Sequence, residues 1–188
     1  MQKLQLLLII GAFCLFPGIK TEAQEKSKAA PQESIIKWHS FEEAYQLNKK
    51  KPKKVFVDVY TDWCGWCKKM DSETFANPVI AKYMQKHFYC VKLDAERKDT
   101  VVIDGVKFVN PSPSNRRSTH QLANELLKNK MSYPSYVFLN EKGNYLTMVS
   151  GFQGPENFEI VIKYFGEDAY LKQSFDAFKT GFQGEIKK

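Results

Sequence analysis

The sequence predicts an α/β domain, and three stretches carry that prediction. The apolar run 55–60 hands over within a few residues to a helical stretch opening at Cys64. A second helical stretch is followed by residues 88–94, which alternate as a core strand does. Pro155 suits the first turn of a helix and precedes the stretch 156–165, whose apolar face would pack on the sheet. Strands that alternate with helices make a sheet covered by helices. At 188 residues, 43% hydrophobic and without internal repeats, the chain fits one domain with a substantial core.

Taken in order, residues 1–23 read as a secretory signal peptide, with Lys3 near the start, an apolar stretch over 4–16, a Pro17-Gly18 break and the small Ala23 at the cleavage point. The apolar stretch is short for a membrane span; retained, it would instead anchor the chain. A lipoprotein reading would use Cys14, but bulky Phe13 stands where a small residue is expected. Residues 24–34 are polar and read as a flexible tether, leaving 35–188 as the domain. A short strand is expected over 35–38, and Ser40-Phe41-Glu42-Glu43 is a capping box opening a helix to about Asn48. Beyond the strand 55–60, the helix from Cys64 runs toward Phe75, and Asn77-Pro78 interrupts it. Val79, Ile80, Tyr83 and Met84 share a face of the next helix, 79–86. In the strand 88–94, Cys90 reads as a small buried residue rather than a third redox partner.

An insertion is expected over about 95–117. Asp104-Gly105 between β-prone runs signals a two-residue hairpin, and 111–117 is loop. Arg116 and Arg117 read as solvated, with contact to an acidic partner as the alternative. Ser118-x-x-Gln121 predicts the cap of a helix with Leu122, Leu126 and Leu127 inward. After the strand 136–139 and the helix 156–165, Tyr170, Leu171, Phe175 and Phe178 mark one face of an extra terminal helix over about 167–180.

The chemistry concentrates at Asp62-Trp63-Cys64-Gly65-Trp66-Cys67-Lys68-Lys69. A cysteine at the first turn of a helix meets unsatisfied backbone N–H groups, which favour thiolate over thiol, so Cys64 is the expected nucleophile. Cys67 lies almost one helical turn on, where it can close a disulfide with Cys64 and release whatever Cys64 has attacked. A zinc site would need two more ligands, yet Cys14, Cys90, His39, His87 and His120 are scattered. A c-type haem attachment needs histidine where Lys68 stands. A purely structural disulfide, with Cys90 as a possible partner, is the remaining alternative. Asp58 sits in a strand otherwise made of Val55, Phe56, Val57 and Val59, where a carboxylate is costly to bury unless it has a task or a partner; an edge position facing solvent is the other reading.

With Asp58 upstream and Tyr133-Pro134-Ser135 downstream, the motif resembles the thioredoxin superfamily over roughly residues 35–165. The resemblance implies a thioredoxin fold, a central mixed sheet flanked by helices, here with an inserted β-hairpin and an extra C-terminal helix. It implies that Asp58 accepts the proton of Cys67, that Tyr133-Pro134 is the family's cis-proline loop, that 140–143 is a hairpin turn with 144–150 as the last strand, and that Gly151 faces the motif. Lys92 would assist Asp58 or else point outward. Trp66 replaces the usual proline, and the segment from Cys67 to Phe75 is similar to exported reductases, including the C-terminal domain of the transmembrane thiol–disulfide interchange protein.

The expected function is therefore exported thiol–disulfide exchange through Cys64 and Cys67, in the periplasm or secreted, reducing protein disulfides. An oxidase or isomerase is the alternative, as is a thioredoxin-like copper-binding module with Met70 as the nearby added ligand. Trp63, Gly65, Trp66, Tyr133 and Pro134 would line the substrate rim. No metal or organic cofactor is implied, and with no nucleotide-binding glycine motif the electrons would come from a membrane-embedded thiol reductase. The formal charge of +7 becomes about +6 once 1–23 is removed. The lysines are spread out, so nucleic acid is not expected as a partner, and the chain is expected to be a monomer.

Overall fold

Residues 36–187, which the computed structural model describes, open with β1 (Trp38–His39), α1 (Phe41–Lys50) and β2 (Lys54–Tyr60). The signal and tether readings at 1–23 and 24–34 lie outside the described residues. The next elements are α2 (Gly65–Lys69), which continues as a π-helical segment over Met70–Phe75, then α3 (Pro78–His87) and β3 (Phe88–Asp94). The inserted hairpin is β4 (Val101–Ile103) and β5 (Val106–Phe108), followed by α4 (Gln121–Leu126), β6 (Ser135–Leu139), β7 (Tyr145–Ser150) and α5 (Pro155–Gly166). A 3-10 turn at Ala169–Leu171 and α6 (Phe175–Gly181) complete the order. The sheet runs β1-β3-β2-β6-β7, parallel from β1 through β3 to β2 and antiparallel across β6 and β7. This is the thioredoxin fold, with its mixed central sheet flanked by helices.

Both faces of β2 are buried, which is why its sequence reads as a near-continuous apolar run. One face is largely aromatic: Phe56, Phe75, Phe88, Tyr136, Phe138 and Phe158 interlock beneath α3 and α5. The opposite face is aliphatic, with Val55, Val57, Val59, Val91, Leu93 and Val137 against Ala44 of α1 and Leu122 and Leu126 of α4. The capping box holds, since Ser40 accepts from the Glu43 N–H and Glu43 from the Ser40 N–H. Asn77 caps α3 through its side chain, with Pro78 in the first turn. The hairpin turns on Asp104 and Gly105, both at positive φ (47° and 80°), the geometry that favours Asp-Gly. Asn140 Oδ1 accepts from the N–H groups of Lys142 and Asn144, which fixes the turn before β7.

Four expectations need correction. The first strand is Trp38–His39 rather than 35–38, because its pairing with Cys90 and Val91 begins only at Trp38. The helix after Cys64 does not remain α to Phe75: its closure widens at Met70, and residues five apart, Met70 and Phe75, then share the core face. Ser118 does not cap α4. Its hydroxyl donates to Asn110 Oδ1, and His120 is the cap, with Nδ1 accepting from the Leu122 N–H. The terminal helix is divided: Ser174 caps a separate α6, Phe175 and Phe178 pack on Tyr164, and Leu171 is left 70% exposed.

Candidate active site

β2 delivers the chain to the motif at the edge of the parallel half of the sheet. The Cys64 N–H donates to the Thr61 carbonyl at 3.1 Å, which turns the chain into α2. Cys64 is the N-cap, in extended backbone, and its Sγ accepts from the Cys67 N–H at 3.0 Å. The two cysteines are joined by a disulfide, with Cα atoms 5.3 Å apart. Both residues are buried, whereas Gly65 and Trp66 between them are exposed. Nothing lies within 4 Å of where a Cβ on Gly65 would stand, so this glycine relieves no clash and keeps the approach low.

Two tryptophans flank the pair. Trp63, 51% exposed, meets Tyr133 edge to face at 6.0 Å, and its indole N–H donates to Glu96 at 2.9 Å. Trp66, 57% exposed, stands 5.6 Å from Phe152, and the Lys69 ammonium lies over both of those rings. The Tyr133–Pro134 peptide bond is cis. Pro134 is buried, and its carbonyl accepts from the Gly151 N–H at 2.8 Å. Gly151 holds a φ of +85°, which side-chain-bearing residues rarely adopt. Met70 is fully buried, and its sulfur accepts from the Gln153 N–H, which places it in the core layer.

On the aromatic face, three adjacent strands place Lys92, Asp58 and Tyr136 in one register row. Asp58 is 1% exposed, so the edge-facing alternative is excluded. Burial pushes its carboxyl up to about 6, against the pull of the Lys92 ammonium. Lys92 bonds Asp58 Oδ2 and also Asp71 of the π segment. Burial works against the Lys92 charge, but the two carboxylates outweigh it and leave its pKa above the ordinary lysine value. Asp58 Oδ1 and the Tyr136 hydroxyl have no hydrogen-bond partner among the described residues. Cys90, on the same face, is a free buried thiol that burial pushes up to about 12.

Sequence reasoning missed Asp71, Glu96 and Phe152. The four-residue spacing of Asp71 from Cys67 was the one local signal that a second carboxylate stood near the pair. Glu96 and Phe152 come from distant loops and left no such signal.

A family model described as a thioredoxin-like domain matches residues 41–166. Thiol:disulfide interchange protein DsbD of Vibrio vulnificus (strain CMCP6) is 31% identical over 87 residues, 45% of this chain and 14% of that protein. Disulfide bond reductase DsbH of Chlamydia pneumoniae is 24% identical over 119 residues, 63% of this chain and 64% of that protein. The solved structure of a DsbH oxidoreductase superposes with a TM-score of 0.51 at 20% identity, covering 79% of this chain and 94% of that chain, a likeness of fold. Four further curated relatives are matched over only 10% or 11% of their own length. Among the described residues no helix is long and apolar enough to cross a membrane.

Proposed function

The chain belongs to the thioredoxin-like domain family, and from that premise we propose that it is an exported thiol–disulfide oxidoreductase that reduces protein disulfides. The observation that carries this is the Cys64–Cys67 disulfide at the start of α2, with Cys64 Sγ accepting the Cys67 N–H. That donor would stabilise a thiolate on Cys64 when the pair is reduced. The thiolate attacks one sulfur of a substrate disulfide; the substrate S–S bond breaks, one substrate thiolate leaves, and a mixed disulfide forms. Cys67 gives its proton to Asp58 and attacks Cys64 Sγ. The second substrate thiolate leaves, and the Cys64–Cys67 disulfide returns with the two electrons passed to the substrate. Asp58, its carboxyl pushed up to about 6 by burial, suits that proton transfer.

Trp63, Trp66 and Tyr133 form the apolar rim for an extended substrate segment, and Gly65 and Pro134 shape the approach. Because the Pro134 carbonyl is taken by Gly151, the backbone open to a substrate strand beside it is that of Tyr133. The partners in this reading are exported proteins with disulfides, and a membrane-embedded thiol reductase that restores the dithiol by the same steps. The protein acts as a monomer, in the periplasm or secreted, after removal of residues 1–23. The name of the Chlamydia relative supports the reducing direction.

The test is a reduction potential for the Cys64/Cys67 pair, measured against glutathione beside an insulin-reduction assay. A reductase gives turnover and a potential toward about −270 mV, whereas a value toward about −120 mV marks an oxidant. Negligible turnover with stoichiometric Cu(I) binding would replace the enzyme with a copper-binding module.

A further inference from the structure

The insertion brings two exposed arginines, Arg116 and Arg117, to the rim of the redox pair. The Arg117 guanidinium lies over the ring of Trp63, the residue before Cys64, at 4.8 Å from its centroid. The loop that presents it is held in place: the Asn110 amide donates to the carbonyls of Arg97 and Ser118, and Lys98 donates to the Asn115 carbonyl. Arg117 itself sits at a φ of +62°, an uncommon conformation for a residue with a side chain. The third arginine of the chain, Arg97, is paired with Glu42 and Asp99. Among the described residues no ion pair involves Arg116 or Arg117, although both are exposed.

A cleft of about 450 Å³ lies between this loop and the motif, lined among others by Trp63, Asp62, Glu96, Lys98, Arg116 and Arg117. Its lining sets three cations, Lys98, Arg116 and Arg117, against two carboxylates, Asp62 and Glu96, and Glu96 is in addition held by the Trp63 indole N–H, so a net positive charge remains. The contact with the ring leaves the guanidinium without an anionic partner among the described residues, and its planar fork matches a carboxylate in two-pronged fashion. Lysine at the same place could offer only a point charge.

We propose that Arg117, assisted by Arg116, is a specificity-determining residue that selects disulfide-bearing segments with an Asp or Glu close to the attacked cysteine. At about 3.3 Å per residue of extended chain, a carboxylate about two to four residues from that cysteine reaches the cleft beside Trp63. The inference rests on the exchange reading of Cys64 and Cys67, because it assumes that a segment lies along the rim.

The test uses the full chain and two disulfide peptides that differ only in Glu or Gln three residues from the cysteine. Wild type is expected to favour the Glu peptide in kcat/KM by about tenfold at low salt, with the ratio falling as salt rises. Arg117→Gln brings the ratio to about one, and Arg117→Lys leaves it between. The ratio cancels any effect of the substitution common to both peptides. A wild-type ratio near one, or a ratio untouched by Arg117→Gln, overturns the proposal. Calorimetric binding of the same peptides to the Cys64→Ser/Cys67→Ser chain separates the two readings. No turnover by wild type, with binding that still prefers Glu through Arg117, ends the exchange reading and keeps acidic recognition; binding without preference ends the latter.

Discussion

Asp58 and Lys92 are register partners across parallel β2 and β3, and the Lys92 ammonium stands 2.5 Å from Asp58 Oδ2. The same ammonium reaches Asp71 and lies over the rings of Trp38, Tyr60 and Phe75. A buried carboxylate is thus held by one cation that is itself pulled toward a second, more exposed carboxylate. The charge on Asp58 is only partly compensated, and its other oxygen has no partner among the described residues. This is what leaves a proton on Asp58 at a pH where an exposed aspartate has none.

The first expected outcome is a stability difference. The folded-state pKa of Asp58, about 6, lies above its unfolded value near 3.8. As pH rises through that window the unfolded chain releases its proton first, so the native state loses stability relative to it. Asp58→Asn should therefore be more stable than wild type above pH 6, by up to about 3 kcal/mol, with the gap closing below pH 4. Urea unfolding of both proteins at several pH values measures this; a gap constant with pH would remove the titration of Asp58 as its cause.

Lys92 sets where the proton leaves. Removing its charge as Lys92→Met takes away the chief influence that lowers the Asp58 pKa, so the pKa should rise further. The rising limb of kcat/KM for disulfide reduction, expected near pH 6 in wild type, should shift upward by about one unit or more, and should vanish in Asp58→Asn. A limb unmoved by either substitution would belong to another group.

The two cysteines should not behave alike. Cys64 is the cap that receives an N–H, whereas Cys67 donates that N–H and is enclosed by the first turn. In the reduced protein Cys64 should titrate below an ordinary thiol, as thiolate absorbance with Cys64→Ser as control would show. Cys67→Ser should accumulate mixed disulfides with substrate, visible on non-reducing gels, and Cys64→Ser almost none; equal trapping would contradict the assignment of roles.

Much of this site was legible because its signals are local. Cys64 and Cys67 share one helical turn, and Asp58 is conspicuous as the only acid in an apolar strand. Asp104-Gly105 specifies its own turn. What could not be read depends on competition between near-equal partners. Ser118 carries a good capping side chain, but Asn110 takes its hydroxyl, and His120, a poorer cap by propensity, supplies the acceptor. The widening at Met70 goes with the burial of Met70, Thr74 and Phe75 together, and the sequence of a helix does not state that. The placement of Arg117 over the Trp63 ring joins two loops far apart in the chain, where no periodicity operates.

Cys90 should be dispensable for turnover. Its thiol is buried in the aromatic layer, and burial holds its pKa near 12, so it carries almost no thiolate at working pH. Cys90→Ala should keep full insulin-reduction activity and cost about 1 kcal/mol of stability through the small cavity. In native wild type Cys90 should resist iodoacetamide, read by mass spectrometry; rapid labelling would show the strand to be open.

His120 should make the insertion sensitive to acid, in the sense opposite to Asp58. Its Nδ1 accepts from the Leu122 N–H and its Nε2 bonds the Asp99 carbonyl, so the neutral ring uses one nitrogen as acceptor and the other as donor. A second proton would put a donor against the Leu122 N–H. Burial, the largest influence, lowers its pKa below the ordinary 6.5. The sign follows: above pH 6.5 both states are neutral, and below it the unfolded chain takes up a proton first, so native stability is lost as pH falls toward the folded pKa. Asn cannot titrate and can still cap α4, so His120→Asn should be less stable than wild type at pH 8 by about 1–2 kcal/mol, for the lost Asp99 bond and the lost volume. The two stability curves should converge as pH falls below 6.5, because only wild type bears the protonation cost. Hydrogen exchange at the amides of Leu122 and of the insertion provides the local readout: protection there should fall with acid in wild type and stay level in the variant. Parallel stability curves with equal exchange would show that the His120 ring is protonated without disturbing its bonds.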